Sequence, residues 1–292
     1  MNLFFKLSRL KKTILALTLF CLPVLFFIAL TSSETKPMPV ISIHQDPNLK
    51  IPSTSFSYSL IEGLAHVLIS PETEKIGATW TDGKVYDRPL IKLFYDNLLK
   101  KEKEEFVVLD IGAQTGSFTL LSKYFPQSRW YAFEPIAEAA EQLAVNLALN
   151  GISNTSVFPA CVSQKSGTEI LKLPQDSHWG LATLGARPLR FKSCKERKVA
   201  SISIDDFINQ EAINRVDFIK IDTEGWEWYV LQGAKETIKK YQPVILMEFN
   251  PQNMEQCHLN KGQLLRLLKE LNYTWELVSH EDILCTPNTH SH

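Results

Sequence analysis

Hydrophobic and polar positions divide the chain into three regimes. Thr13 to Leu30 reads TILALTLFCLPVLFFIAL, 18 residues without a charge, directly after Lys6, Arg9, Lys11 and Lys12. The stretch from Thr31 to Ser57 carries Pro37, Pro39, Pro47 and Pro52 among Ser, Thr and Lys, with no helical or strand period, and reads as a semi-extended tether. Phe56 to Ile69 and Asp87 to Leu99 have apolar residues at mixed helical spacing, which predicts two helices covering one edge of the domain after them. KKEKEE at Lys100 to Glu105 is a solvated boundary. The segment from 58 to 105 is therefore a helical cover, and 106–287 the main domain.

From Phe106 onward, short β-rich runs alternate with longer helical patterns. Strands are predicted over Val107–Ile111, Arg129–Phe133, Ser156–Val162, Asp217–Ile221, Val244–Phe249, Trp275–Val278 and Ile283–Cys285. Helices are predicted over Ser117–Tyr124, Ala137–Asn150, Trp226–Tyr241 and Lys261–Leu271. Such alternation requires crossover connections and a mainly parallel sheet in an α/β domain.

Composition narrows the class. Hydrophobic residues make up 45% of the 292, enough to bury a core. Basic and acidic residues number 31 and 32, so no general field for nucleic acid exists, and no nucleic-acid partner is expected. No protein partner is predicted. Cys21, Cys161, Cys194, Cys257 and Cys285 are scattered without a CxxC pair, which signals neither a zinc ribbon nor a disulfide scaffold. The histidines have no ligand spacing, so no metal ligand set is assigned.

The uncharged run at Thr13–Leu30 is close to the ~20 residues that cross a hydrocarbon core. It predicts a single-pass transmembrane helix, a signal-anchor, with the N-terminus cytoplasmic by the positive-inside rule. A cleaved signal peptide is the competing reading, although Ala29-Leu30-Thr31-Ser32-Ser33 is a mediocre cleavage site. The predicted orientation would carry the domain away from the cytosol.

The chemistry begins at Val107–Leu121, VVLDIGAQTGSFTLL: a buried strand, a glycine loop and a helix start. Gly112 and Gly116 let the backbone approach a ligand, and Asp110 places a carboxylate near the loop. The spacing D-x-G-x-x-x-G differs from the G-x-G-x-x-G that seats a pyrophosphate, so a cofactor without one fits better, and an NAD-type oxidoreductase is the disfavoured alternative. The second strand ends in YAFEP, where Glu134 could accept both hydroxyls of a ribose.

These blocks, with NGISNTSVFPACVSQKSG, SISIDDFI and VDFIKIDTEGWEWYVLQGAKETIKKYQPVILMEF, resemble the FkbM-type S-adenosylmethionine-dependent methyltransferases over Val107 to Asn250. The resemblance implies a class I methyltransferase fold, a Rossmann-like three-layer sandwich on a seven-stranded, mostly parallel sheet. It also implies S-adenosyl-L-methionine as cofactor and methylation of a hydroxyl on a sugar, glycoconjugate or small metabolite. Asp110, Gly112 and Gly116 match the family's cofactor loop and Glu134 its ribose-binding acid; Ala113, Pro135 and Cys161 beside them complete the cofactor residues expected here.

In IKIDTEGWEW, Asp222 and Glu224 emerge at a strand's carboxyl end, in the crevice where open α/β sheets bind ligands. They are the catalytic candidates: they could remove a hydroxyl proton, position the acceptor or hold a divalent cation, which the pair permits without indicating. The competing structural reading is that Asp222 caps the following helix and Glu224 adds a dipole-favoured first-turn charge. Lys220 could pair with either acid. Between Ser163 and Ala200 the alternation lapses, as in an insertion supplying a substrate lid. There Trp179, beside His178, could stack on a sugar, and a basic run including Arg190 and Lys192 could meet a phosphate or an anionic membrane face. A membrane-tethered nucleoside-binding scaffold without turnover is the non-enzymatic alternative.

Overall fold

The computed structural model of the chain describes residues 56–61, 64–68, 87–174, 179–186 and 193–288. The expected anchor Thr13–Leu30 and the tether through residue 55 lie outside the described residues. Among the described residues, no helix is long and apolar enough to cross a membrane.

The first described elements correct the sequence reading. Phe56 to Ile69, expected as a helix, contains two strands, β1 (Phe56–Ile61) and β2 (Leu64–Leu68), paired antiparallel with Phe56 opposite Leu68 and Ile61 opposite Leu64. The spacing of Tyr58, Leu60, Leu64 and Leu68 suits either period, and the aromatic and β-branched content around Gly63 favours a hairpin. Helix α1 (Arg88–Leu99) follows as predicted, begun by Pro89 in its first turn.

Strands β3 (Val107–Ile111), β4 (Arg129–Phe133) and β5 (Thr155–Phe158) run parallel side by side. The chain then leaves this sheet for a second one, built from β6 (Cys161–Val162), β7 (Gly167–Pro174) and β8 (Cys194–Ile202), with β7 and β8 antiparallel. It returns as β9 (Phe218–Ile221), β10 (Val244–Glu248), β11 (Tyr273–Leu277) and β12 (Asp282–Pro287). The large sheet has the order β11-β12-β10-β9-β3-β4-β5, and β12 alone opposes its neighbours. This is the seven-stranded, mostly parallel class I arrangement. Its order reverses between β3 and β9, and at that point a crevice opens beyond the strands' carboxyl ends.

Every residue of β3 is buried, as expected of a central parallel strand covered on both faces. On one face Phe94 of α1 meets Phe118, Trp130 and Phe218 edge-on at 5.7, 6.3 and 6.2 Å. On the other, Phe133 and Phe158 stack at 5.2 Å, and Phe207 of α3 (Ile204–Gln210) meets both at 4.9 Å, after α2 (Ala137–Leu149) has crossed back.

Three predicted elements are broken, each for a local reason. The predicted strand Ser156–Val162 divides at Pro159, which cannot donate to a ladder, and Cys161 pairs instead with Ser201 of β8. The predicted helix Ser117–Tyr124 is a 3₁₀ turn over Thr119–Tyr124. Asn154 Nδ2 donates to the carbonyls of Ser122 within it and Phe125 just after it, and Pro126 prevents continuation. The predicted helix Trp226–Tyr241 is two, α4 (Glu227–Gln232) and α5 (Lys235–Tyr241). A Cβ at Gly233 would lie 2.2 Å from Ser163 O, and Asp205 accepts from Glu236 N and Thr237 N, capping α5 from α3.

Candidate active site

The crevice at the strand-order reversal is a cavity of about 380 Å³ between the loops after β3, β4, β9 and β10. Backbone hydrogen bonds knit those loops together. Gly112 N and Ala113 N both donate to Phe133 O at 3.0 Å, Asp222 N to Ile111 O at 3.0 Å and Glu134 N to Phe158 O at 3.0 Å. Gly112 is at φ +77°, and a Cβ there would sit 1.9 Å from Asp222 O. Its lack of a side chain therefore lets two strand ends touch, as well as opening the cavity wall.

Glu134 is 5% exposed. Its Oε2 accepts from Gln114 N at 2.9 Å and its Oε1 from Ile136 N at 2.8 Å. Two backbone donors thus fix the orientation of the carboxylate at the cavity wall. Ala113, Pro135 and Cys161 are also on the cavity wall; were the adenosine portion of S-adenosylmethionine bound there, Glu134 would offer its carboxylate oxygens as acceptors to the ribose hydroxyls. Burial pushes the Cys161 thiol up to about 12, which disfavours the thiolate, and its Sγ donates to Ala200 O at 3.3 Å.

Two expected cofactor residues sit behind the wall. A Cβ at Gly116 would lie 2.5 Å from Leu143 Cδ1, so this glycine admits α2 against the loop. Asp110 is fully buried. Its Oδ2 accepts from Thr119 Oγ1 at 2.5 Å, and its Oδ1 lies 3.6 Å from Lys220 Nζ. Burial raises the Asp110 carboxyl, with Lys220 foremost among the groups opposing that rise.

Lys220 joins the halves of the site. It lies opposite Asp110 in the β3–β9 register, donates to Gly112 O at 2.8 Å and stands 3.6 Å from Asp222 Oδ2. Of the two candidate acids, it pairs with Asp222. Burial disfavours its charge, yet Asp222 and then Asp110 hold its pKa above the ordinary lysine value.

Asp222 and Glu224 both line the cavity. Neither is the N-cap of α4, which is Trp226, without a side-chain cap hydrogen bond; Glu227, the first residue of that helix, instead ties down the turn before it, its Oε1 accepting from Thr223 N, Thr223 Oγ1 and Gly225 N at 3.0, 2.9 and 3.2 Å. Glu224 has φ +54°, a strained conformation for a side chain of this size, and its carbonyl accepts from Thr183 Oγ1 at 2.8 Å. Glu248, at the end of β10, joins them. Burial, then Glu227, Glu224 and Asp222, push its carboxyl well above the usual range. Among the described residues, Asp222, Glu224 and Glu248 bring carboxylate oxygens within 4.8 Å of one another, a donor set able to hold a divalent cation.

Trp179 begins a short 3₁₀ turn (Trp179–Leu181) on the cavity wall, packed beside Ile136 and Leu171. His178, Arg190 and Lys192 lie outside the described residues. The described lining carries seven carboxyls, including Asp87 of the α1 N-terminus and Asp282 of β12, against the single cation Lys220. Asp87 and Glu248 escaped sequence reading, although an acid ending a buried run, as in VILMEF, was a usable signal. After β10 the chain enters helix α6 (Pro251–Gln256), and Asn250 before a proline is its N-cap signature.

The sequence matches the Methyltransferase FkbM domain family over residues 110–274. It is 27% identical over 192 residues to 2-O-methyltransferase NoeI of Sinorhizobium fredii, covering 61% of this chain and 75% of that one. It is 26% identical over 157 residues to Methyltransferase sdnD of Sordaria araneosa, covering 44% and 60%. A solved Methyltransferase FkbM from Methylobacillus flagellatus aligns at TM-score 0.40 and 18% identity, over 62% of this chain and 43% of that protein's length. The chain therefore belongs to the FkbM family of S-adenosylmethionine-dependent methyltransferases.

Proposed function

We propose that the protein methylates a hydroxyl on a sugar, glycoconjugate or small polyhydroxylated metabolite, with Asp222 and Glu224 acting on that hydroxyl. The observation that carries this reading is their shared cavity: two carboxylates at the end of β9 face the same space as the Gly112–Gln114 loop and Glu134. Bound S-adenosylmethionine supplies an electrophilic methyl on a sulfonium. The chain's own residues then have to bring an oxygen in line, keep water out and accept one proton. Glu224 takes the proton, and Asp222, anchored by Lys220, orients the hydroxyl. Trp179 offers a ring face for a sugar.

The acid-rich lining favours an uncharged acceptor over the phosphate-bearing one suggested by the basic run. Similarity to a 2-O-methyltransferase supports oxygen as the methylated atom. The same reading keeps Thr13–Leu30 as a membrane anchor, testable by carbonate extraction of membranes.

The test is transfer of labelled methyl from S-adenosylmethionine to a panel of methyl glycosides of hexoses, 6-deoxyhexoses and N-acetylhexosamines. Glu224→Gln is expected to lower turnover about 100- to 10,000-fold, as for loss of a general base. Absence of hydroxyl methylation across the panel, or full turnover by both Glu224→Gln and Asp222→Asn, would overturn it.

A further inference from the structure

Helix α6 carries one side chain that touches two of the converging acids. Asn250 Oδ1 accepts from Gln252 N and Asn253 N at 2.9 and 3.3 Å, so the helix starts from a capped turn directly after β10. That turn places Asn253 Nδ2 where it donates to Glu224 Oε2 at 2.7 Å and to Glu248 Oε1 at 2.8 Å. Gln256 Nε2 donates to Asn253 Oδ1 at 3.2 Å, which fixes the amide with its nitrogen toward the acids. The residue is buried, and its own carbonyl would lie 2.1 Å from a Cβ at Gly225, so helix and catalytic turn are in close contact.

We infer that Asn253 is a positioning residue for methyl transfer: its amide ties the Glu224 carboxylate to Glu248 and so holds it at the acceptor site. Two carboxylates brought together repel, and Glu224 already sits at a positive φ that its neighbours must enforce. An amide with two N–H donors bridges both acids without adding charge. A lysine would also hold Glu224 but would weaken it as a proton acceptor. Thr183, whose hydroxyl donates to the Glu224 carbonyl, steadies the backbone of the same residue.

This inference rests on Glu224 acting at the acceptor hydroxyl, and a double-mutant cycle separates the two ideas. The full chain is assayed with S-adenosylmethionine and the methyl glycoside turned over fastest, as Asn253→Ala, Glu224→Gln and the pair. Asn253→Ala is expected to lower kcat about 100-fold, the effect of misplacing a reacting group. Acceptor KM and cofactor Kd stay within about twofold, and in the Glu224→Gln background Asn253→Ala adds less than about threefold, as coupled sites do. Asn253→Asp, of equal size but without the donors, is expected to lose kcat likewise and serves if the alanine variant fails to fold. Additive losses, unchanged kcat, or a fall in cofactor affinity matching the loss of rate would overturn the inference. A normal rate for Glu224→Gln alone overturns the reading of Glu224 as the base and this inference with it. A slow Glu224→Gln beside a fast Asn253→Ala overturns only the inference.

Discussion

Replacing Lys220 by Met tests how far one buried cation supports the site. Lys220 is 5% exposed and Asp110 is fully buried, with the ammonium 3.6 Å from Asp110 Oδ1. That oxygen has no hydrogen-bond partner among the described residues, so the ammonium is the group that meets its charge. Removing one member of a buried pair costs about 3–5 kcal/mol, because the other charge stays behind unmatched. In a domain of this size that corresponds to a fall of about 6–20 °C in melting temperature.

The loss should depend on pH. Burial already raises the Asp110 carboxyl, and without Lys220 it rises further. A carboxyl whose folded pKa lies above its unfolded value contributes stability that is present below the unfolded pKa and lost as pH rises through the folded one. Lys220→Met is therefore expected to cost more at pH 8 than at pH 5, measured by urea unfolding with tryptophan fluorescence. Asp110→Asn with Lys220→Met leaves two neutral groups and should recover much of the loss. A cost below about 1 kcal/mol at pH 8, or a double variant no more stable than Lys220→Met, would refute the argument.

Two further outcomes come from the same cavity. Glu134→Gln should weaken S-adenosylmethionine binding by about 1–3 kcal/mol in calorimetric titration, the cost of losing a charged acceptor; unchanged affinity would remove Glu134 from the cofactor site. Asp87, half-buried, has its carboxyl pushed up to about 6 by burial and then by Asp222, with Lys220 opposing. It favours the folded state below the ordinary value of 3.8, and that contribution is lost as pH rises through about 6. Asp87→Asn should thus be more stable than the unaltered chain by about 1–2 kcal/mol at pH 7, allowing for solvent screening, with the advantage gone below pH 4; an equal difference at both pH values would contradict it.

Local pattern was enough wherever a residue's partners are near in sequence or its strand is fully buried. β3, β4, β9 and β10 are apolar runs bounded by turn residues, and α1, α2 and α7 (Lys261–Glu270) show helical spacing with their own end signals; α7 has a full capping box between Asn260 and Gln263. The second sheet was hidden for the opposite reason. β7 and β8 are buried mainly toward one end, and β8 otherwise carries Lys195, Glu196, Arg197 and Lys198 in its exposed half, so charge masks the alternation. The hairpin of β1 and β2 was misread because short apolar runs satisfy both periods.

The site divides along the same line. The glycine loop after β3, the acid after β4 and the acids after β9 are legible in the residue pattern alone, since each lies within a few residues of a strand end and parallel strands deliver their carboxyl ends to one edge. Which groups face the cavity and which lie behind it depends on packing between segments far apart in the chain. Asp110 and Gly116 serve packing and ion pairing, whereas Asp87, Glu248 and Asn253 enter from distant elements. Asn253 reaches Glu224 across 29 residues of sequence because β10 lies beside β9 and Asn250 caps the helix directly after β10 that carries Asn253. Periodicity within one segment carries no information about such a contact, which depends on the register between strands and on where a capped helix begins.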